Sequence, residues 1–265
     1  SANRQITYHH TTASRNMDLP ERMTTRRALL ASAGTVAVGA GFVYADSLSG
    51  SESTTDESPT DSVQFHSSRE STGFGIELAG HPIMGRMDAP VDMYYWSDYQ
   101  CPFCRRFERN TLPELRNDHI STGGLRMVFI QFPYLSDGSL RAAVMDRCVW
   151  RQVREDNPAR YWQWHSAVFD AQQEAGSGWA SRENLLAVTR DVDGVDADAV
   201  DTCMQNDREE IESAISDDSG QARQLEFGGT PAFVLYNRET DTANGLVGAQ
   251  PYERFDEEIA AIENT

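Results

Sequence analysis

The sequence predicts an α/β fold: a mixed central sheet flanked by helices, interrupted by an inserted helical sub-domain. Three observations predict it. A strand–helix–strand unit runs from Val91 to Phe132, the stretch from about 139 to 226 reads as helix alone, and two strands and a helix close the chain. Parallel strands need a long crossover, and a helix is the usual one, so the first unit sets the sheet and the second is an insertion into it.

Residues 1–45 read as a targeting segment. Arg26-Arg27 is a twin-arginine pair followed directly by an uncharged run from Ala28 to Ala45, which closes on Val43-Tyr44-Ala45, an acceptable small-residue cleavage site. This pattern predicts Tat-type export to an extracytoplasmic location, secreted or on the cell surface. The alternative to cleavage is a membrane tether through residues 28–45, a run within the spanning range. Residues 46–71 are Ser, Thr, Asp and Glu with almost nothing apolar. Such a stretch buries too little surface to offset its ordering entropy and is expected to be a disordered linker.

The folded domain is expected over 72–265, starting near Phe74. Gly75-Ile76-Glu77-Leu78 reads as a short edge strand and Val91-Asp92-Met93-Tyr94-Tyr95-Trp96 as a more buried one. Phe103, Phe107 and Leu115 recur at helical spacing, and Pro113 predicts a kink in that helix. Leu125 to Phe132 is the strongest strand signal. In the insertion, Leu140, Val144 and Cys148, and then Tyr161, His165 and Phe169, repeat every four residues. Amphipathic pieces follow over 184–192, 197–204 and 207–225. Strands return at 231–236 and 245–248, and Pro251 opens a last helix with Tyr252, Phe255, Ile259 and Ile262 on its apolar side.

The 265 residues carry a net charge of −18 and a pI of about 4.6. That balance excludes a general nucleic-acid binder, which needs a basic face. All the cationic side chains are Arg; the chain contains no Lys. Acid excess without Lys points to a protein of high-salt surroundings, where a Debye length of about 3 Å at 1 M screens carboxylate repulsion.

The chemistry is carried by Cys101-Pro102-Phe103-Cys104, after a buried strand and at a helix start. A helix N-terminus offers unpaired N–H groups and partial positive charge, which stabilise a thiolate. Cys101 is expected at the exposed start of the helix with a lowered pKa, as the attacking thiol. Cys104, one turn on and shielded, is expected to resolve. Arg105, Arg106 and Arg109 either add positive potential or face solvent. Zinc uses C-x-x-C as well but needs four ligands, and neither a second such pair nor two His at ligand spacing within the folded domain are present, so no metal is expected. His165 reads as a core or surface-packing histidine in preference to a catalytic one, and Asp98 and Glu108 either tune proton transfer near the motif or, as is commoner in so acidic a chain, are solvated surface carboxylates.

Gly228-Gly229-Thr230-Pro231 stands immediately before a strand. Together with Ser97 to Cys104 and Phe132-Pro133, it resembles the DsbA-like branch of the thioredoxin superfamily, over roughly Phe74 to Ile262. The resemblance implies the thioredoxin fold with a helical domain inserted near 139–226, and thiol–disulfide oxidoreductase activity on protein clients without a cofactor. It also implies that Thr230 and Pro231 form a cis-proline loop packed against the redox cysteines, where the backbone of Thr230 pairs with an extended client, and that an unidentified partner recycles the cysteines. Best-known oxidases of this branch have Pro-His between the cysteines; here Pro102-Phe103 lacks the His that stabilises the thiolate. Export favours oxidation, since disulfides persist outside the cytosol. A client-specific reductase and a copper metallochaperone holding the metal between Cys101 and Cys104 are the alternatives. Some relatives carry a second bridge in the helical domain, and a structural disulfide is expected between Cys148 and Cys203; two buried free thiols are the alternative.

Overall fold

A computed structural model describes residues 64–71 and 75–264 of the chain. The expected signal segment, the linker as far as residue 63, and Phe74 lie outside the described residues.

The described strands are β1 (Phe65–His66), β2 (Ile83–Met84), β3 (Val91–Ser97), β4 (Leu125–Gln131), β5 (Ala232–Asn237) and β6 (Thr242–Val247), in the sheet order β1-β2-β4-β3-β5-β6. β3 and β4 run parallel, Val91 facing Leu125 and Ser97 facing Gln131. The other pairs are antiparallel, with Trp96 of β3 opposite Ala232 of β5. Every residue of β3, β4 and β5 is buried, which is why these segments read as apolar runs without alternation. Successive side chains still leave on opposite faces. Met93, Tyr95, Met127, Phe129 and Phe233 enter the larger core beneath the helices. Tyr94, Trp96, Val128, Ile130 and Val234 enter a smaller one closed by Ile76, Leu78, Ala222 and Phe227. Asp92 and Arg126, paired across β3 and β4, neutralise each other in the interior at 2.5 Å.

Helix α1 (Pro102–Asn110) links β3 to β4. The break expected at Pro113 falls at Thr111. The chain resumes as α2 (Leu112–Leu115) and runs on as a π-helical turn, Arg116–Ile120, because proline has no N–H to continue the ladder. The insertion holds α3 (Asp137–Val153), α4 (Ala159–Ala171), α5 (Arg182–Arg190), α6 (Ala197–Asn206) and α7 (Arg208–Gln224). A disulfide joins Cys148 of α3 to Cys203 of α6, with Cα atoms 5.8 Å apart. Helix α8 (Tyr252–Glu263) buries Phe255, Ile259 and Ile262.

Three expectations are corrected here. Gly75 to Leu78 is not a strand: Glu77 makes a lone bridge with Ser71, while Gly75 (φ +80°) and Gly80 (φ +83°) turn the chain on either side. Ile76 and Leu78 are buried all the same, so the alternation marked burial and not a ladder. The end of the expected linker belongs to the sheet. Phe65 packs 6.0 Å from Phe129 and 5.7 Å from Tyr161, ring to ring, and this one aromatic anchors β1 in a polar stretch. Phe103, given the core spacing of Phe107 and Leu115, points outward and is 49% exposed, because it sits in the first turn where α1 leaves the sheet.

Candidate active site

Strand β3 delivers the chain to the sheet edge, and Asp98 to Cys101 turn it into α1. Cys101 is the residue before the helix, with an extended backbone (φ −78°, ψ 117°), and Pro102 opens the helix with a fixed φ and no N–H to satisfy. Cys104 lies in the first turn, 0% exposed. Both thiols are free in this structure. The Thr230–Pro231 peptide is cis, and the Cys101 thiol donates to the Thr230 carbonyl at 3.2 Å.

The two sulfurs are electrostatically unlike. A hydrogen bond from the Cys104 thiol holds the Cys101 thiolate down to a pKa of about 6 against the opposing effect of burial, helped by Thr230 and the N–H groups of Cys104 and Phe103. The Thr230 hydroxyl is itself buried and, among the described residues, makes no hydrogen bond of ordinary geometry, which leaves it within reach of the thiolate. Burial drives Cys104 the other way, well above the ordinary thiol range, and the neighbouring Cys101 sulfur adds to the rise.

The expectation that Cys101 faces solvent is corrected: it is only 1% exposed. The Thr230–Pro231 loop lies across it, and Tyr134, from the segment after β4, stands close enough to feel its charge. Exposed apolar side chains nevertheless rim the site, namely Phe103, Tyr134 and Leu135.

Asp98 and Glu108 are corrected as well, since both are buried. Asp98 accepts from the backbone N–H groups of Gln100 at 2.8 Å and Tyr134 at 3.1 Å, and so ties the loop of the cysteines to the segment that follows Phe132-Pro133. Burial raises its pKa in spite of these bonds. Glu108 meets His165 of α4 at 3.0 Å. The ring of His165 continues to the Tyr99 hydroxyl at 2.7 Å, and Tyr99 and Tyr161 both donate to Asp146 of α3, at 2.6 and 2.8 Å. His165 is thus a core residue, as its aromatic neighbours suggested, but within a polar network. Among the described residues, the hydroxyl of Tyr95 makes no hydrogen bond of ordinary geometry; Cys104 and Glu108 are groups whose charge it feels.

The arginines find their partners elsewhere than at the Cys101 sulfur. Arg105 donates to the carbonyls of Gln172 and Asp170, Arg109 pairs with Asp170, and Arg106 lies 5.1 Å over the Phe103 ring. Gln172, Tyr134, Tyr95 and Asp146 escaped the sequence reading. Each reaches the site from another element, and nothing in the local pattern marks it. Among the described residues, no cluster of three or more His, Cys, Asp or Glu is placed to hold a metal ion.

The thioredoxin family profile matches residues 77–253. Among curated relatives, disulfide bond formation protein D of Bacillus subtilis is 25% identical over 162 residues, 61% of this chain and 70% of that protein. Among solved structures, oxidised BdbD of B. subtilis superposes with a TM-score of 0.59 at 24% identity, covering 70% of this chain and 94% of that one. Wolbachia pipientis α-DsbA1 gives 0.61 at 22% identity, covering 73% and 96%. At these identities the structural matches speak for the fold, and the family match together with the paired cysteines speaks for the chemistry. The chain belongs to the thioredoxin family, as a DsbA-like thiol–disulfide oxidoreductase.

Proposed function

We propose that this chain is an extracytoplasmic disulfide oxidase that withdraws two electrons from pairs of client thiols. The observation that carries the reading is the contrast between Cys101, titrating at about 6, and Cys104, held protonated by burial. In the oxidised protein a client thiolate attacks the Cys101 sulfur of the Cys101–Cys104 disulfide, and Cys104 departs and takes up a proton. A second client thiolate then attacks the client's own sulfur in the mixed disulfide and expels Cys101. The products are an oxidised client and a dithiol, so a recycling partner has to accept the two electrons. A low-pKa sulfur leaves readily and stabilises the reduced protein, and a stabilised reduced form makes an oxidant. Thr230 supports client binding because its backbone flanks Cys101, where an extended segment can add as a strand. The Phe103, Tyr134 and Leu135 rim suits apolar client side chains.

The reverse reaction, reduction of a client by attack of Cys101 and resolution by Cys104, is favoured by one feature: the Phe103 side chain supplies no charge or donor between the cysteines. The redox potential of the Cys101/Cys104 couple, measured in molar salt, separates the two. A value well above about −270 mV supports the oxidase, and one at or below it rejects that direction. Export is tested separately: replacing Arg26 and Arg27 with Lys should retain the protein inside the cell, and unchanged export overturns the Tat route.

A further inference from the structure

Helix α4 stops beside the active-site loop, and its last side chains turn toward α1. Gln172 leaves the helix in an extended conformation (φ −56°, ψ 131°). Its side chain is buried, and its Nε2 amide donates to the Tyr99 carbonyl at 2.5 Å and to the Cys101 carbonyl at 3.1 Å. The same end of α4 is gripped from the other side. Arg105 donates to the carbonyls of Asp170 and Gln172, and Arg109 pairs with the Asp170 carboxylate at 2.6 Å. His165 and Phe169, two turns and one turn before Gln172 along α4, meet Glu108 and the Tyr99 ring. One stripe of the inserted unit therefore lies along the start of α1.

The Cys101 carbonyl that Gln172 holds also accepts the Arg105 N–H at 3.2 Å, the bond that begins α1. Fixing this carbonyl fixes ψ at Cys101 and so the rotation of its Cα against the N–H groups of Phe103 and Cys104. We propose that Gln172, contributed by the helical insertion, is a positioning residue for Cys101, holding the backbone of the nucleophile so that its sulfur stays against the donors at the start of α1. This rests on the reading of Cys101 as the attacking thiol. The groups bearing on Cys101 include the Cys104 thiol and the N–H groups of Phe103 and Cys104 on α1, Thr230 before β5 and Tyr134 after β4. Gln172 carries no charge, so its loss acts on Cys101 through geometry.

The test is pH-resolved alkylation of the reduced full chain by iodoacetamide in molar salt, with modification at Cys101 read by mass spectrometry and the melting temperature measured alongside. Gln172→Met keeps the length of the side chain and removes the donor. Its Cys101 should titrate about one unit higher than wild type, and at pH 5 alkylation should slow about tenfold. Gln172→Asn keeps an amide one methylene too short to span both carbonyls; it should shift in the same direction, and it decides the matter should the Met variant not fold. A shift in Cys101 titration in a variant that still melts cooperatively is what a packing role alone does not produce. Wild-type titration in both variants overturns the positioning role. Wild-type Cys101 titrating in the ordinary range near about 8.5 overturns instead the low-pKa nucleophile on which that role rests.

Discussion

At Cys101 and Cys104, two identical side chains three residues apart are given opposite properties by where they sit on α1. Cys101 precedes the helix and collects donors; Cys104 lies inside it and collects apolar neighbours. The asymmetry predicts a division of labour. Cys104→Ser should accumulate client proteins as mixed disulfides on Cys101, visible on non-reducing gels, whereas Cys101→Ser should abolish both exchange and trapping. Full exchange by the Cys101 variant would reject the mechanism. A pH dependence follows with a defined sign. The Cys101 pKa of about 6 in the folded, reduced protein lies below its unfolded value of about 8.5, so its contribution to stability is full above the latter and disappears as pH falls through about 6. Cys104, raised on folding, contributes below the unfolded value and loses that contribution only at higher pH. The disulfide form has neither thiol. The melting temperature of the reduced protein relative to the oxidised one should therefore rise between pH 6 and about pH 9, and a flat difference would contradict the lowered Cys101 value.

At the scale of elements, the insertion is tied to the thioredoxin half by buried polar groups as well as by apolar packing. Asp146 of α3 accepts from Tyr99, next to the active-site turn, and from Tyr161 of α4. Removing its carboxylate strands donors that no water can reach. Asp146→Ala should cost about 2–4 kcal/mol in chemical denaturation, more than a surface Asp→Ala elsewhere on α3. The Cys148–Cys203 disulfide closes a sequence separation of 55 residues between α3 and α6. Replacing both cysteines with Ala should lower stability by about 2–4 kcal/mol while leaving the Cys101/Cys104 potential unchanged, which separates this bridge from the redox pair.

For the whole molecule, the surface sets the conditions under which the fold holds. With a net charge of −18 and no Lys, the folded state confines carboxylates that repel one another unless salt screens them. Thermal melts from about 3 M down to about 0.1 M NaCl, where the screening length grows to about 10 Å, should show a large and continuous loss of stability. A melting temperature independent of salt would remove the case for a high-salt setting. The buried Asp92–Arg126 pair lies beyond the reach of that screening and should contribute equally at both ends of the series.

What the sequence determined by itself is what depends on near neighbours. A buried strand leading into Cys101-Pro102-Phe103-Cys104 places a thiol before a helix start. Pro113 breaks that helix, and the four-residue repeat of Leu140, Val144 and Cys148 marks a helix face. Such features follow from periodicity and from the backbone limits of proline, which act within a few residues. Only the tertiary structure decided what surrounds the sulfurs. Cys101 is covered by Thr230, 129 positions away, and its carbonyl is held by Gln172, 71 positions away. Asp98 and Glu108 read as solvated in so acidic a chain, yet the segment after β4 closes over one and α4 over the other. Periodicity tells which face of an element is buried. Which partner meets that face, and so which carboxylate or thiol loses water, depends on how distant elements pack.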